Sequence, residues 1–322
     1  MKLHIVLSLL ACLAAAGALS AQEARGTLLG RVTDSTGAVV PGATVRAVNL
    51  DTNTGASTVS NSEGNFELPY LLTGMYRLEV EMEGFKKSVR SGIEIRVADR
   101  VSIDVSLELG NVAETVSVTA EAPLLETSTA SLGLVIDGRR IHELPLPNGN
   151  PWALAQLAPG VSSYIAPGHY ALPGARDIPN NISIDGNPSR SAEFTLDGAP
   201  NMTQSGVAFI PPADIVEEFK VETATFDASV GYSPAGQINA VVKSGGNRVH
   251  GSLWEFHTSG PMRGTDFFTN KYIYDPNTGP ITPQKIKDGH PPEVLNRYGG
   301  VLTGPFYLPK LYDGRNRTFF SY

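Results

Sequence analysis

Between residues 26 and 109 apolar and polar residues alternate with a period of two, segment after segment, and that period belongs to half-buried strands. Ala43, Val45 and Ala47 alternate with Thr44 and Arg46; Tyr76, Leu78, Val80 and Met82 alternate with Arg77, Glu79, Glu81 and Glu83. Val101, Ile103, Val105, Leu107 and Leu109 alternate with Ser102, Asp104, Ser106 and Glu108. Each segment predicts an antiparallel strand with one wet face. Turn residues punctuate them at Asp34-Ser35-Thr36-Gly37, Pro41-Gly42, Asn61-Ser62-Glu63-Gly64 and Gly74. Short strands at that spacing predict a small β-sandwich. The 33 Gly and 23 Pro among 322 residues fit a turn-rich β chain better than a helical one.

The first 21 residues read as an address. Lys2 gives a positive start, Ile5 to Ala16 are apolar apart from Ser8, and the small residues Ala18, Ser20 and Ala21 follow. This is the layout of a secretory signal peptide cut after Ser20 or Ala21. A buried N-terminal helix would need polar positions on one face, and none is there. Residues 9–12, LLAC, also loosely resemble a lipoprotein cleavage box. Cys12 is the single cysteine, so the exported chain would hold no disulfide and no thiol chemistry. Beyond this leader no run of about twenty apolar residues occurs, which leaves strands as the means of crossing a membrane. A net charge of −7 argues against a nucleic-acid partner.

Two stretches of the first zone, GRVTDSTGAVVPGATV and NSEGNFELPYLLTGMYRLEVEMEGF, closely resemble the carboxypeptidase regulatory-like domain. The resemblance implies a prealbumin-like, carbohydrate-binding-like β-sandwich over residues 26–109 and brings no catalytic residue with it. A zinc carboxypeptidase needs His and Glu ligands from a large α/β domain, for which this chain has no room.

Residues 111–245 mix short strands with loops rich in Pro, Gly and Asn. Residues 182–188, ISIDGNP, and 194–200, FTLDGAP, echo each other as strands closing in Asp-Gly turns, and are expected to lie side by side. A helix is expected near Trp152 to Leu157, stopped by Pro159-Gly160, and IPPADIVEEFKVET reads as a helical turn leading into a strand. ETVSVTA at 114–120, FTLDGAP at 194–200 and IVEEFKVETATFDASVGYSPAGQINAVVKSGGN at 215–247 resemble the plug domain of TonB-dependent outer-membrane receptors. The resemblance implies a mixed α+β plug over residues 124–245. LPLPNGN at 144–150 departs from the LPLNGRN form common in this subgroup, so any contact made by that arginine is missing.

Residues 246–322 hold 13 of the 25 aromatic residues. Gly251, Leu253, Glu255 and His257 alternate with Ser252, Trp254 and Phe256. Membrane barrels alternate in this way, with aromatics expected outward and polar groups inward. HGSLWEF and RYGGVLTGPFYLPKLYDGRNRTFFSY resemble the first barrel strands of Oar-like receptors. At about 9–11 residues per strand, this zone supplies three or four strands, whereas the smallest closed barrel needs about 8. An open edge in lipid strands its N–H and C=O groups. The expectation is therefore an N-terminal part of a longer receptor, its barrel truncated and its ligand-selecting loops mostly further on.

Residues 110–123 read as a linker. Within it Glu114, Thr115, Val116, Ser117, Val118, Thr119 and Ala120 form a proline-free stretch of high β propensity, flanked by Gly110-Asn111 and Pro123. An extended peptide of this kind can add to a partner's sheet edge through its backbone. Its position between a regulatory-like sandwich and a plug implies a TonB box, the segment gripped by a TonB-type energy-coupling protein. Read from pattern alone, it serves equally well as one more strand of the sandwich.

Catalytic and metal constellations are missing from the sequence. His142-Glu143 begins like HExxH, but Pro145 and Leu146 follow and no second histidine comes; His169, His250, His257 and His290 are scattered. No nucleophile elbow, P-loop or dinucleotide fingerprint occurs. Asp185, Asp197 and Asp214 read as turn and cap residues. The expectation is mainly β, no cofactor, no metal and no enzymatic activity. It is an outer-membrane receptor that takes up an extracellular ligand, carbohydrate being one candidate, with its sandwich in the periplasm. The alternative is a secreted or surface β-sandwich protein of adhesion without transport.

Overall fold

The computed structural model describes residues 25–110, 115–119, 132–144, 146, 149–163, 181–188, 191–203, 206–224, 235–259, 267–289 and 294–322. The leader, residues 1–21, lies outside them.

Strands β1 (Gly26–Asp34), β2 (Thr44–Asn49), β3 (Gly55–Val59), β4 (Asn65–Leu71), β5 (Gly74–Glu81), β6 (Lys87–Ile95), β7 (Arg100–Ser102), β8 (Val105–Leu107) and β9 (Thr115–Thr119) build two sheets. One runs β4-β1-β7 with β8 also on β1; the other runs β3-β2-β5-β6-β9. The alternating apolar residues meet between them: Val45, Ala47, Leu78, Val80, Val101, Ile103, Val105 and Leu107 are all buried in one cluster with Leu28, Val32 and Phe66. Leu109 departs from its alternation and is exposed, because the strand ends at Leu107 and only an isolated bridge to Phe85 follows.

The expected antiparallel pairing holds for β1–β4, β2–β3, β2–β5 and β5–β6, but β7 and β8 run parallel to β1. The chain crosses from one sheet to the other after β6 and so arrives beside β1 in the same sense, as parallel pairing requires. Gly30 makes that approach feasible. A Cβ there would lie 1.9 Å from the Ile103 carbonyl oxygen, closer than any side chain tolerates.

The middle unit is a mixed sheet in the order β10-β17-β18-β13-β14. Its strands are β10 (Leu132–Asp137), β13 (Glu193–Leu196), β14 (Ala199–Pro200), β17 (Val216–Ala224) and β18 (Gln237–Val242). Two small ladders flank it: β11 (Val161–Ser163) on β12 (Ile182–Ile184), and β15 (Met202–Thr203) on β16 (Gly206–Val207). The Asp-Gly turns form as expected. Asp185 and Asp197 take φ of 50°, with Gly186 at 76° and Gly198 at 78°, the paired positive angles of a two-residue hairpin turn. The two echoing segments are not neighbours, however: β12 pairs with β11, while β13 pairs with β18 and β14. Each Asp-Gly turn fixes only the residues it joins, and the parallel β13–β18 ladder takes the remaining edge.

The segment Pro151–Leu157 is a 3-10 helix, with Asn150 Oδ1 accepting the Trp152 N–H at 3.0 Å and Pro151 at its first position. It seats Trp152, fully buried, edge-on to Phe194 at 5.2 Å and Phe219 at 5.6 Å between ring centroids. The expected helical turn before β17 is Ala213–Ile215.

The aromatic zone forms an open three-stranded sheet of β19 (His250–Ser259), β20 (Val294–Pro305) and β23 (Phe319–Ser321), with a hairpin of β21 (Tyr307–Leu308) and β22 (Tyr312–Asp313). β19 and β20 pair over ten residues. Helices Phe267–Tyr274 and Pro283–Gly289 lie between them in sequence, and no helix among the described residues is long and apolar enough to cross a membrane. Trp254 and Phe256 were expected outward, yet they are half-buried and Leu253 on the opposite face is fully open. The Phe256 ring lies against Gly149, at φ 66°, and would be 3.0 Å from a Cβ there.

Sandwich and middle unit meet through the loop after β6. The Val97 N–H donates to Glu218 Oε1, and Lys220 Nζ reaches the Ala98 carbonyl at 3.3 Å, Asp99 Oδ1 at 3.2 Å and Glu222 Oε1 at 3.8 Å. Lys220 and Asp99 are almost wholly buried. Burial pushes the Glu218 carboxyl up to about 7, with Asp99 adding to the rise and the Val97 N–H opposing it.

Two predictions follow from this packing. Trp152→Ala should cost about 3–5 kcal/mol of stability, read by denaturant unfolding, because it empties a ring-sized space in the core. The second concerns pH. A carboxyl raised from 4.5 to about 7 binds its proton more tightly when folded, so the contribution of Glu218 to stability is fully present below 4.5 and is lost as pH rises to about 7. At about 1.4 kcal/mol per unit, the decline approaches ~3 kcal/mol. Glu218→Gln keeps the acceptor and should flatten the fall in thermal midpoint between pH 5 and 7; an unchanged slope would refute it.

Candidate functional site

The residues 114–120 singled out in the sequence fall partly within the described structure. Glu114 and Ala120 lie outside it; Thr115, Val116, Ser117, Val118 and Thr119 form β9. Two β-branched valines and two threonines in five residues explain the extended backbone. β9 lies parallel to β6, with Lys87 opposite Thr115, Ser88 opposite Val116, Val89 opposite Ser117, Arg90 opposite Val118 and Ser91 opposite Thr119. It ends the sheet β3-β2-β5-β6-β9.

The length of this ladder is set by β6. Gly92 has φ 82°, and the β5–β6 register shifts there, with Tyr76 opposite Ile93 and Arg77 opposite Ser91. A bulge of this kind bends its strand and ends regular pairing. The pairing with β9 stops at Ser91, the residue before it. Past the bulge, Ile93 and Ile95 enter the sandwich core, whereas Lys87 to Gly92 are only half-buried. β9 thus sits on the shallower half of its neighbour.

Lys87 anchors that half. Its ammonium lies 2.7 Å from Glu81 and 2.9 Å from Glu79, and these contacts hold its pKa above the usual lysine value, Glu81 foremost. Arg77 also reaches Glu79 at 2.8 Å. Desolvation works against ionisation of Glu79, but its two cationic partners together hold its carboxyl below the ordinary range.

One face of the middle sheet carries polar residues that the sequence disguised as a wet face. Glu193, Thr195, Lys220, Glu222, Gln237 and Asn239 are all buried. Glu193 and Glu222 both register with Gln237, and Thr195 and Lys220 with Asn239. Asn239 Oδ1 accepts from Thr195 Oγ1 at 2.6 Å, and Asn239 Nδ2 donates to Glu222 Oε2 at 3.3 Å. Burial raises the Glu193 carboxyl.

The remaining candidates settle into structural places. Asp197 accepts the Val242 N–H at 3.0 Å, and its pKa is raised by burial. His142 lies 2.9 Å from Lys243 Nζ through Nε2 and 3.8 Å from Asp214 through Nδ1. Among the described residues no group of three or more His, Cys, Asp or Glu could hold a metal ion.

Comparison with known proteins fits this architecture. Residues 27–108 match the carboxypeptidase regulatory-like domain, and residues 241–322 match an outer membrane beta barrel domain. The chain is 27% identical over 266 residues to the TonB-dependent transporter Oar of Myxococcus xanthus, a match covering 80% of this chain and 23% of that protein. It therefore spans under a quarter of that relative's length. Two solved structures are partly similar. The siderophore receptor PirA from Pseudomonas aeruginosa is 16% identical with a TM-score of 0.36, over 56% of this chain and 26% of that one. PirA from Acinetobacter baumannii is 19% identical with a TM-score of 0.36, over 56% and 23%. The chain is TonB-dependent receptor-like, with a carboxypeptidase regulatory-like sandwich on the periplasmic side of the outer membrane, ahead of the first strands of an outer-membrane β-barrel.

Proposed function

We propose that this chain is the N-terminal part of a transporter that takes up an extracellular ligand with energy supplied from across the periplasm. Residues 1–21 direct export, 26–109 form the periplasmic sandwich, 110–123 carry the coupling segment, 124–245 form the plug and 246–322 begin the barrel. The outer membrane holds no nucleotide, so a periplasm-spanning protein of TonB type has to grip the receptor. Glu114 to Ala120 is the grip. It binds as an added strand, its backbone giving affinity, and it acts without catalysis or cofactor.

The observation that carries this reading is the extended, β-branched strand 115–119, set in sequence between the sandwich and the outer-membrane unit. Adhesion by the sandwich alone would leave the barrel match over residues 241–322 without a purpose.

Val116→Pro removes one backbone donor in the centre of the segment. In the full-length receptor it should lower in-cell crosslinking to the TonB-type protein by about tenfold, the loss of ~1.4 kcal/mol. The amount of receptor in the outer membrane should not change. Crosslinking at the wild-type level would sink the assignment.

A further inference from the structure

The strand read as the coupling segment is already paired along one edge, and this inference rests on that reading. β9 is paired along five residues with β6, in the register Lys87–Thr115 through Ser91–Thr119. A segment that is to join another protein's sheet is here joined to the sheet of its own chain. We infer that the carboxypeptidase regulatory-like sandwich is the resting dock for the coupling segment: the half-buried edge of β6 from Lys87 to Ser91 binds residues 115–119, and the TonB-type protein has to win the strand from that edge.

Two features fit a dock better than a permanent strand. The ladder lies where β6 is half-buried; the fully buried Ile93 and Ile95 are further along, past the bulge. The pairing is also parallel and five residues long, and parallel ladders are slightly weaker per residue than antiparallel ones. Loss of β9 removes the backbone hydrogen bonds of one terminal strand.

The consequence for affinity is arithmetic. A partner that binds only the released strand sees an affinity reduced by the fraction of time the strand is free. If the dock holds it nine-tenths of the time, apparent binding weakens about tenfold. Ligand occupancy or a shift of the middle unit that frees β9 would raise binding by the same factor.

A reversible staple tests this in the full-length receptor. Ser88→Cys with Val116→Cys places two thiols at registered positions on adjacent strands, about 4.8 Å apart at the backbone and within reach of a disulfide. Ser91→Cys with Thr119→Cys repeats the design at two small hydroxyl residues. Cys12→Ser in every variant removes the chain's own cysteine. Binding to the purified periplasmic domain of the TonB-type protein is measured on the oxidised and the reduced form of the same sample. The dock predicts binding at least about tenfold weaker when oxidised and restored by reductant. Equal binding in both forms, with binding still lost in Val116→Pro, would overturn the dock and leave the coupling segment in place. Wild-type binding by Val116→Pro would overturn the coupling segment and the dock with it.

Discussion

An unpaired strand edge is the constraint on which this architecture turns. Backbone N–H and C=O groups at an edge need partners, and each unit supplies them differently. In the sandwich, β9 closes one side of β6. In the middle unit the Asp197-Gly198 hairpin folds β14 back over β13, which β18 pairs on its other side. In the aromatic unit, β19-β20-β23 has two edges, which water can satisfy but lipid cannot. Barrel closure, coupling and sandwich stability are versions of one problem, namely which strand lies beside which.

Local features were the legible ones. The alternation over 43–47, 76–82 and 101–107 predicted the strands and their buried faces because a period of two is a property of neighbouring residues. The two Asp-Gly turns were legible for the same reason, as was the helical turn before β17. Pairing was not legible. The segments at 182–188 and 194–200 share a turn but not a ladder, and the parallel joins of β7 and β8 to β1 depend on a crossing through the other sheet. Trp254 and Phe256 alternate as a barrel strand should, but the packing of Phe256 against Gly149, over a hundred residues earlier, is a long-range contact that no local pattern carries.

The candidate segment was half legible. Its β propensity stands in the sequence, and the two roles open to it, linker or sandwich strand, could not be separated by pattern. The structure makes it an edge strand, paired with β6 on one side. The junction of Glu218, Lys220 and Asp99 gave no sequence signal. On β17 these polar residues alternate with Phe219 and Val221, and the pattern reads as a solvated face until the loop at 96–99 covers it.

The bulge at Gly92 also has a mechanical meaning. A strand peeled from one edge by a force across its ladder comes away one bond at a time. The β6–β9 ladder stops at Ser91, just before the bulge, so five such steps separate it from a free strand, and Ile93 and Ile95, which hold β6 in the core, lie beyond them. The ladder is thereby laid out like the seam of a tear strip, ending short of the residues that hold the cloth.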